Sequence, residues 1–110
     1  MELSNPSMLN HLIQLVNQVY EMEKKLARME NSSSLMRNLR RMKQELDQIG
    51  LSYHDPVGEP YDETRTDCDA SISGVGDEDL VIQEVIKPII REGGKFGQII
   101  QRGIVVVAAN

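Results

Sequence analysis

The sequence predicts an α+β chain in which helices come first and a small β-region follows. Three observations carry that reading. Up to Ile49 the apolar residues recur at steps of three and four, the period of one helix face. Beyond Gly50 the apolar residues alternate with polar ones, and Gly, Pro and Asp punctuate them as turns do. The excess negative charge sits almost wholly in the second part, which has eleven acidic and five basic residues against six and seven in the first. Residues 1–49 therefore read as a helical region and 50–110 as a β-domain.

The first helix is expected after Asn5-Pro6-Ser7, where Asn5 or Ser7 can cap free amides and Pro6 suits a first helical turn. Leu12, Leu15, Val19, Met22, Leu26 and Met29 then share one stripe, which Val16 and Tyr20 widen. The width suits a bundle as well as a two-stranded seam. After Met29 the phase breaks, and the next series is Leu35, Leu39, Met42, Leu46 and Ile49. Asn31-Ser32-Ser33-Ser34 lies in the gap. These residues favour caps and turns, so the spacing is met by two helices folded back antiparallel, or by one long helix with a stagger in its stripe. Gly50 ends the series. The methionines at these positions are adaptable core fillers.

In the second part Cys68, Ala70 and Ile72 alternate with Asp67, Asp69 and Ser71, the signature of a half-buried strand. Gly74-Val75-Gly76-Asp77 is a turn. A strand over 80–87 stops at Pro88, Glu92 to Gly97 forms a glycine-rich turn, and 98–108 gives a last strand interrupted at Gly103. Together these make a small, mostly antiparallel β-domain of four or more short strands.

Composition narrows the function. A chain of 110 residues without tryptophan and with one phenylalanine buries mainly Leu, Ile, Val and Met, and chains this small often complete their core with a second copy. The acidic balance disfavours a phosphate backbone as partner, with Arg37, Arg40, Arg41 and Lys43 the one basic set on the other side. Cys68 is the only cysteine, which excludes an internal disulfide and suits a reducing compartment. No apolar stretch is long enough to cross a bilayer and no secretory leader pattern opens the chain, so a cytoplasmic location is expected. Asp55, Glu59, Asp62, Glu63, Asp67 and Asp69, beside His54, fit no calcium loop or zinc set and read as a solvated acidic loop. Glu92-Gly93-Gly94-Lys95 lacks the spacing and the hydroxyl of a phosphate loop. No cofactor, metal or catalytic residue is expected.

The order of pieces resembles the GrpE nucleotide exchange factors of DnaK-type chaperones. The residues that carry it are Leu46-Asp47-Gln48-Ile49-Gly50, Gly58-Glu59-Pro60-Tyr61-Asp62, Glu84-Val85-Ile86-Lys87-Pro88, Gly97-Gln98-Ile99-Ile100 and Val105-Val106-Val107-Ala108. The stretch from Leu12 to Lys25 is similar to the family's helix before its bundle turn. Ile89 and Glu63 depart from the family's usual Gly and Pro, and most of the family's long N-terminal helix has no counterpart. The resemblance implies a homodimer whose helices form a four-helix bundle or coiled coil through Leu12, Leu15, Val19, Met22, Leu26, Met29, Leu35, Leu39, Met42 and Leu46. It further implies that Tyr61, Ile86 and Val107 contact the ATPase domain of a DnaK-type chaperone and promote ADP release without any bond being made or broken. For Ile86 and Val107 the competing reading is ordinary sheet core. The rival function is a structural or scaffolding dimer that keeps the architecture without exchange activity.

Overall fold

The computed structural model describes residues 5–74, 76 and 78–110. Among these described residues the chain is α+β, with two helices followed by six short strands in two small sheets. By contact it divides into two units. The first comprises the described residues up to Tyr53 together with Arg91–Gln98, and the second comprises His54–Ile90 with Ile99–Asn110.

In the first unit, α1 spans Pro6–Ala27 and α2 spans Ser33–Gln48. Asn5 caps α1, its Oδ1 accepting from the backbone N–H of Ser7 at 3.0 Å and of Met8 at 3.2 Å, while Pro6 occupies the first turn. The polar run after Met29 breaks the helix. Asn31 takes the left-handed conformation, φ 58°, and the Ser32 hydroxyl donates to the Leu26 carbonyl at 3.1 Å, satisfying one of the acceptors a helix end leaves open. The two helices pack on each other as a hairpin, so the continuous-helix alternative is excluded.

The hairpin does not bury the whole expected stripe. Val16 and Tyr20, which only flanked it, are sealed at 0% and 1% exposure, together with Val19 and Leu39. Leu15, Met22, Met29, Leu35 and Met42 remain exposed. Tyr20 meets Tyr53 edge to face, with ring centroids 5.8 Å apart. The Tyr53 hydroxyl donates to Glu23 at 2.8 Å, and the other oxygen of Glu23 takes Lys43 at 3.2 Å, tying both helices to the start of the strand region. Gly50, at φ +85°, makes the exit from α2 that an L-residue with a side chain would strain.

The strands are β1 (Leu51–His54), β2 (Cys68–Ile72), β3 (Leu80–Lys87), β4 (Ile89–Glu92), β5 (Gln98–Gln101) and β6 (Gly103–Ala109). One sheet has the order β1-β4-β5 and the other β2-β6-β3. In the second unit β3 runs antiparallel to the central β6, but β2 runs parallel to it, Cys68 facing Gly103 and Ile72 facing Val107. The expected small, mostly antiparallel β-region thus takes the form of two sheets, with the parallel β2–β6 pair as its departure from antiparallel order. The long connection from β2 to β6 permits a parallel return that a tight hairpin does not. Cys68, Ile82, Val85, Val105 and Val107 bring one face of this sheet into the core, each at most 3% exposed. The break expected at Gly103 has a steric cause: a Cβ there would sit 3.2 Å from the Cys68 sulfur and 3.1 Å from Ile89. The expected turn at 74–77 includes Val75 and Asp77, which lie outside the described residues.

Candidate functional site

Two surfaces stand out, one on each unit. On the helical unit, Met22 and Leu26 of α1 and Leu35, Leu39 and Met42 of α2 line an open groove of about 320 Å³, with Lys25 and Asn38 as its polar members. All five apolar residues were expected at a dimer interface. Leu39, at 2% exposure, forms the floor and is already buried within one chain, as is Val19, so these two are corrected from interface contacts to hairpin core. Leu15 and Met29 are exposed outside this lining, and Leu12, Leu26 and Leu46 are half-buried.

On the sheet unit, the segment 58–61 runs beside β3. Gly58 N–H donates to the Ile82 carbonyl at 2.8 Å, Ile82 N–H returns to Glu59 at 2.9 Å, and Tyr61 N–H donates to Leu80 at 2.9 Å. This pairing fixes Pro60 and Tyr61 against the wall of a second cavity of about 540 Å³. Ala70, Ile72 and Leu80 provide its remaining apolar lining, and Asp62, Glu63 and Asp79 are the acidic residues that line it.

The loop behind this cavity is held by Arg65, the one basic residue among the carboxylates of 55–69. Its Nε donates to Asp67 at 2.6 Å, Nη2 to Glu59 at 2.9 Å and Nη1 to the Pro60 carbonyl at 3.1 Å. Burial alone would push Asp67 and Glu59 up, but the Arg65 guanidinium, helped at Glu59 by His54 at 2.5 Å, holds both carboxyls below their ordinary range. Desolvation opposes the charge of Arg65, yet its two carboxylate partners leave it more firmly protonated than usual. Asp62 is lowered by the Thr64 hydroxyl and backbone N–H, which close an Asx turn on it. Arg102 makes a second clamp, reaching the Thr66 carbonyl at 3.1 Å, the Cys68 carbonyl at 2.9 Å and Asp69 at 2.7 Å. Burial, then the nearby Asp67 charge, pushes the Cys68 thiol up to about 11, which makes it a packing residue with little thiolate at neutral pH.

The acidic loop is therefore organised by arginines, and among the described residues no three His, Cys, Asp or Glu side chains gather to hold a metal ion. Sequence reasoning missed Arg65 and Arg102 as organisers. The signal for Arg65 was its isolation within an acidic run; that for Arg102 was a position next to an obligatory glycine.

The three expected contact residues separate. Tyr61 is half-buried at the cavity wall. Ile86 is 49% exposed because β3 carries register shifts between Ile82 and Glu84 and between Val85 and Lys87, and the second leaves Ile86 without a partner on β6. Val107 is wholly buried at the centre of the sheet and is corrected from partner contact to core. Ile86 also lies six positions along β3 from Leu80, the partner of Tyr61, a separation of roughly 20 Å along an extended strand. The two do not form one compact patch. Among the described residues no helix is long and apolar enough to cross a membrane.

The described residues form a small α+β protein of two units, with an apolar groove on one and an acidic-rimmed cavity on the other. Comparison with protein-family models, with characterised proteins and with solved structures finds no match to this chain.

Proposed function

We propose that this chain is a cytoplasmic, homodimeric, GrpE-like co-chaperone that binds the ATPase domain of a DnaK-type chaperone and promotes ADP release. The observation that carries this reading is the open groove formed by Met22, Leu26, Leu35 and Met42 over Leu39. Each such side chain contributes about 1.5–3 kcal/mol when fully removed from water, so two hairpins facing each other gain several times that amount and close a four-helix bundle. The sheet unit then meets the chaperone through Tyr61 and its acidic surroundings, with Ile86 a separate contact. Exchange follows if the dimer binds the opened ATPase domain more tightly than the closed one, since only differential affinity shifts that population.

The scaffolding-dimer reading has one observation in its favour: burial of Val107 removes a third of the contact set that the resemblance implies. Stopped-flow release of a labelled ADP from a DnaK-type ATPase domain separates the two. The exchange reading requires an acceleration that rises with the concentration of this protein and is weakened by Tyr61→Ala. Unchanged release, with the dimer intact in sedimentation, assigns the scaffold instead.

A further inference from the structure

We propose that the outward face of α2 is a docking site for an acidic, helix-forming segment of another protein, whose carboxylates engage Arg37, Arg40 and Arg41. The three arginines fall at spacings of three and four, and Gln44 and Gln48 continue the same line, so all five share one helix face. All five are exposed. At 3.6 residues per turn, Arg37 and Arg41 each lie roughly 160° round the helix from Leu39, which is buried in the hairpin. The stripe therefore stays open whether or not the apolar groove is filled, and it does not depend on the exchange reading. Lys43, the remaining basic residue of α2, is taken up by Glu23 and the face of Tyr53. The three arginines enter no ion pair among the described residues, not even Arg41 with Glu45 four positions on.

The pattern works against the helix that carries it. Arg37 with Arg40 and Arg37 with Arg41 are like-charge pairs at the spacings where side chains meet, and such pairs weaken a helix. The first turn of α2 has no acidic residue and its last turn no basic one, while Glu45 and Asp47 stand where the helix dipole is negative. An anion on the arginines relieves their repulsion. Each guanidinium fork takes a carboxylate through two parallel hydrogen bonds, and Gln44 and Gln48 add amide donors and acceptors along the line. The rise is about 4.5 Å from Arg37 to Arg40 and about 6 Å from Arg37 to Arg41, the spacing of carboxylates three and four residues apart on a facing helix. Charge is divided so as to suit a small occupant. The unit that holds α2 has nine basic and seven acidic residues, the other unit three and ten. That second unit repels an extended polyanion, and the stripe offers no aromatic side chain to a nucleic-acid base and no apolar one to lipid. A short acidic segment is accommodated by one helix face.

The test uses the full chain, labelled with nitrogen-15, and the peptide acetyl-Glu-Ala-Ala-Glu-Glu-Ala-Ala-Glu-Ala-Ala-Ala-Glu-amide, followed by amide shifts at low salt. Saturable shifts along Ser33–Gln48 are expected, weakening as salt is raised. The same peptide with Gln for every Glu should leave the spectrum unchanged. Arg37→Gln, Arg40→Gln and Arg41→Gln together should weaken binding about tenfold, while the urea midpoint of the free protein stays the same or rises because the like-charge pairs are gone. The idea is overturned if the acidic peptide shows no saturation up to about 1 mM, if the triple variant binds it unchanged, or if that variant's midpoint falls, which would make the arginines structural. It is equally overturned if a single-stranded oligonucleotide or a phosphatidylserine vesicle moves the same resonances at lower concentration than the peptide, or if the stripe is occupied by a second copy, seen as salt-sensitive self-association that the triple variant abolishes. ADP release is read separately, so either proposal can fail without the other.

Discussion

Replacing Arg65 by Met removes a guanidinium while retaining much of an unbranched side chain, so the loss reads mainly the charge and its hydrogen bonds. The Arg65 side chain is 18% exposed, Asp67 22% and Glu59 35%. A hydrogen bond to a charged group is worth about 1.5–3 kcal/mol net when well shielded, and an exposed ion pair about 0.2–1 kcal/mol. The two-pronged contact to Asp67 lies nearer the first limit, and the solvent-screened contact to Glu59 nearer the second. The sum is about 2–3 kcal/mol at pH 7, less than the ~3–5 kcal/mol for breaking a fully buried pair. Both carboxyls have folded pKa values below their unfolded ones, so their contribution is present above the unfolded values near pH 4 and disappears as pH falls through the folded ones. Urea denaturation of the two proteins at pH 7 and at about pH 2.5 should therefore show a wide gap that narrows in acid. A loss under about 0.5 kcal/mol at pH 7 would refute the shielding assigned to this cluster. An equal loss at both pH values would refute the role assigned to charge.

Leu39→Ala opens a hole between α1 and α2 and should cost about 2–5 kcal/mol by urea denaturation, whereas Met29→Ala, at 55% exposure, should cost far less in the monomer. Gly97→Ala would place a Cβ 2.0 Å from the Glu92 carbonyl oxygen, so the 92–97 turn must rearrange; amide shifts confined to that turn and a loss of about 1–3 kcal/mol are expected. Cys68, buried and with its thiol raised to about 11, should react with a thiol reagent at pH 8 orders of magnitude more slowly than in urea. Leu35→Glu with Met42→Glu should leave helix content unchanged while sedimentation shifts from dimer to monomer. A variant that remains dimeric removes the groove from the interface.

Local signals were the most legible part of the sequence. Asn5-Pro6, the serine run, Gly50, Pro88 and the Glu92–Gly97 turn each act through their immediate neighbours, and helix and strand boundaries follow them. Which side of an amphipathic helix faces its neighbour is a different quantity. The strict three-four series named Leu15, Met22 and Met29, yet Val16 and Tyr20 are the residues sealed inside, because the position of α2 and the ring of Tyr53 decide that face. Period identifies an apolar stripe but carries no information about where along its width a partner element lies. Parallel pairing of β2 with β6 was equally unreadable, since alternation within a strand is the same for either direction. The candidate cavity was legible only through Tyr61. Its other walls come from Ala70, Ile72, Asp79 and Leu80, joined by register and not by adjacency.

The central place of β6 has a consequence for how the polypeptide is made. Of the three strands in its sheet it leaves the ribosome last, and among the described residues β2 and β3 are joined to each other only through it, although β3 also pairs with 58–61. β2 must therefore wait without its sheet partner, and β3 with only 58–61 beside it, while the helix hairpin can already collapse behind them, and the late arrival then joins the two in one step. Nascent chains halted just short of Gly103 should hold their helices but remain open to protease across β2, residues 68–72.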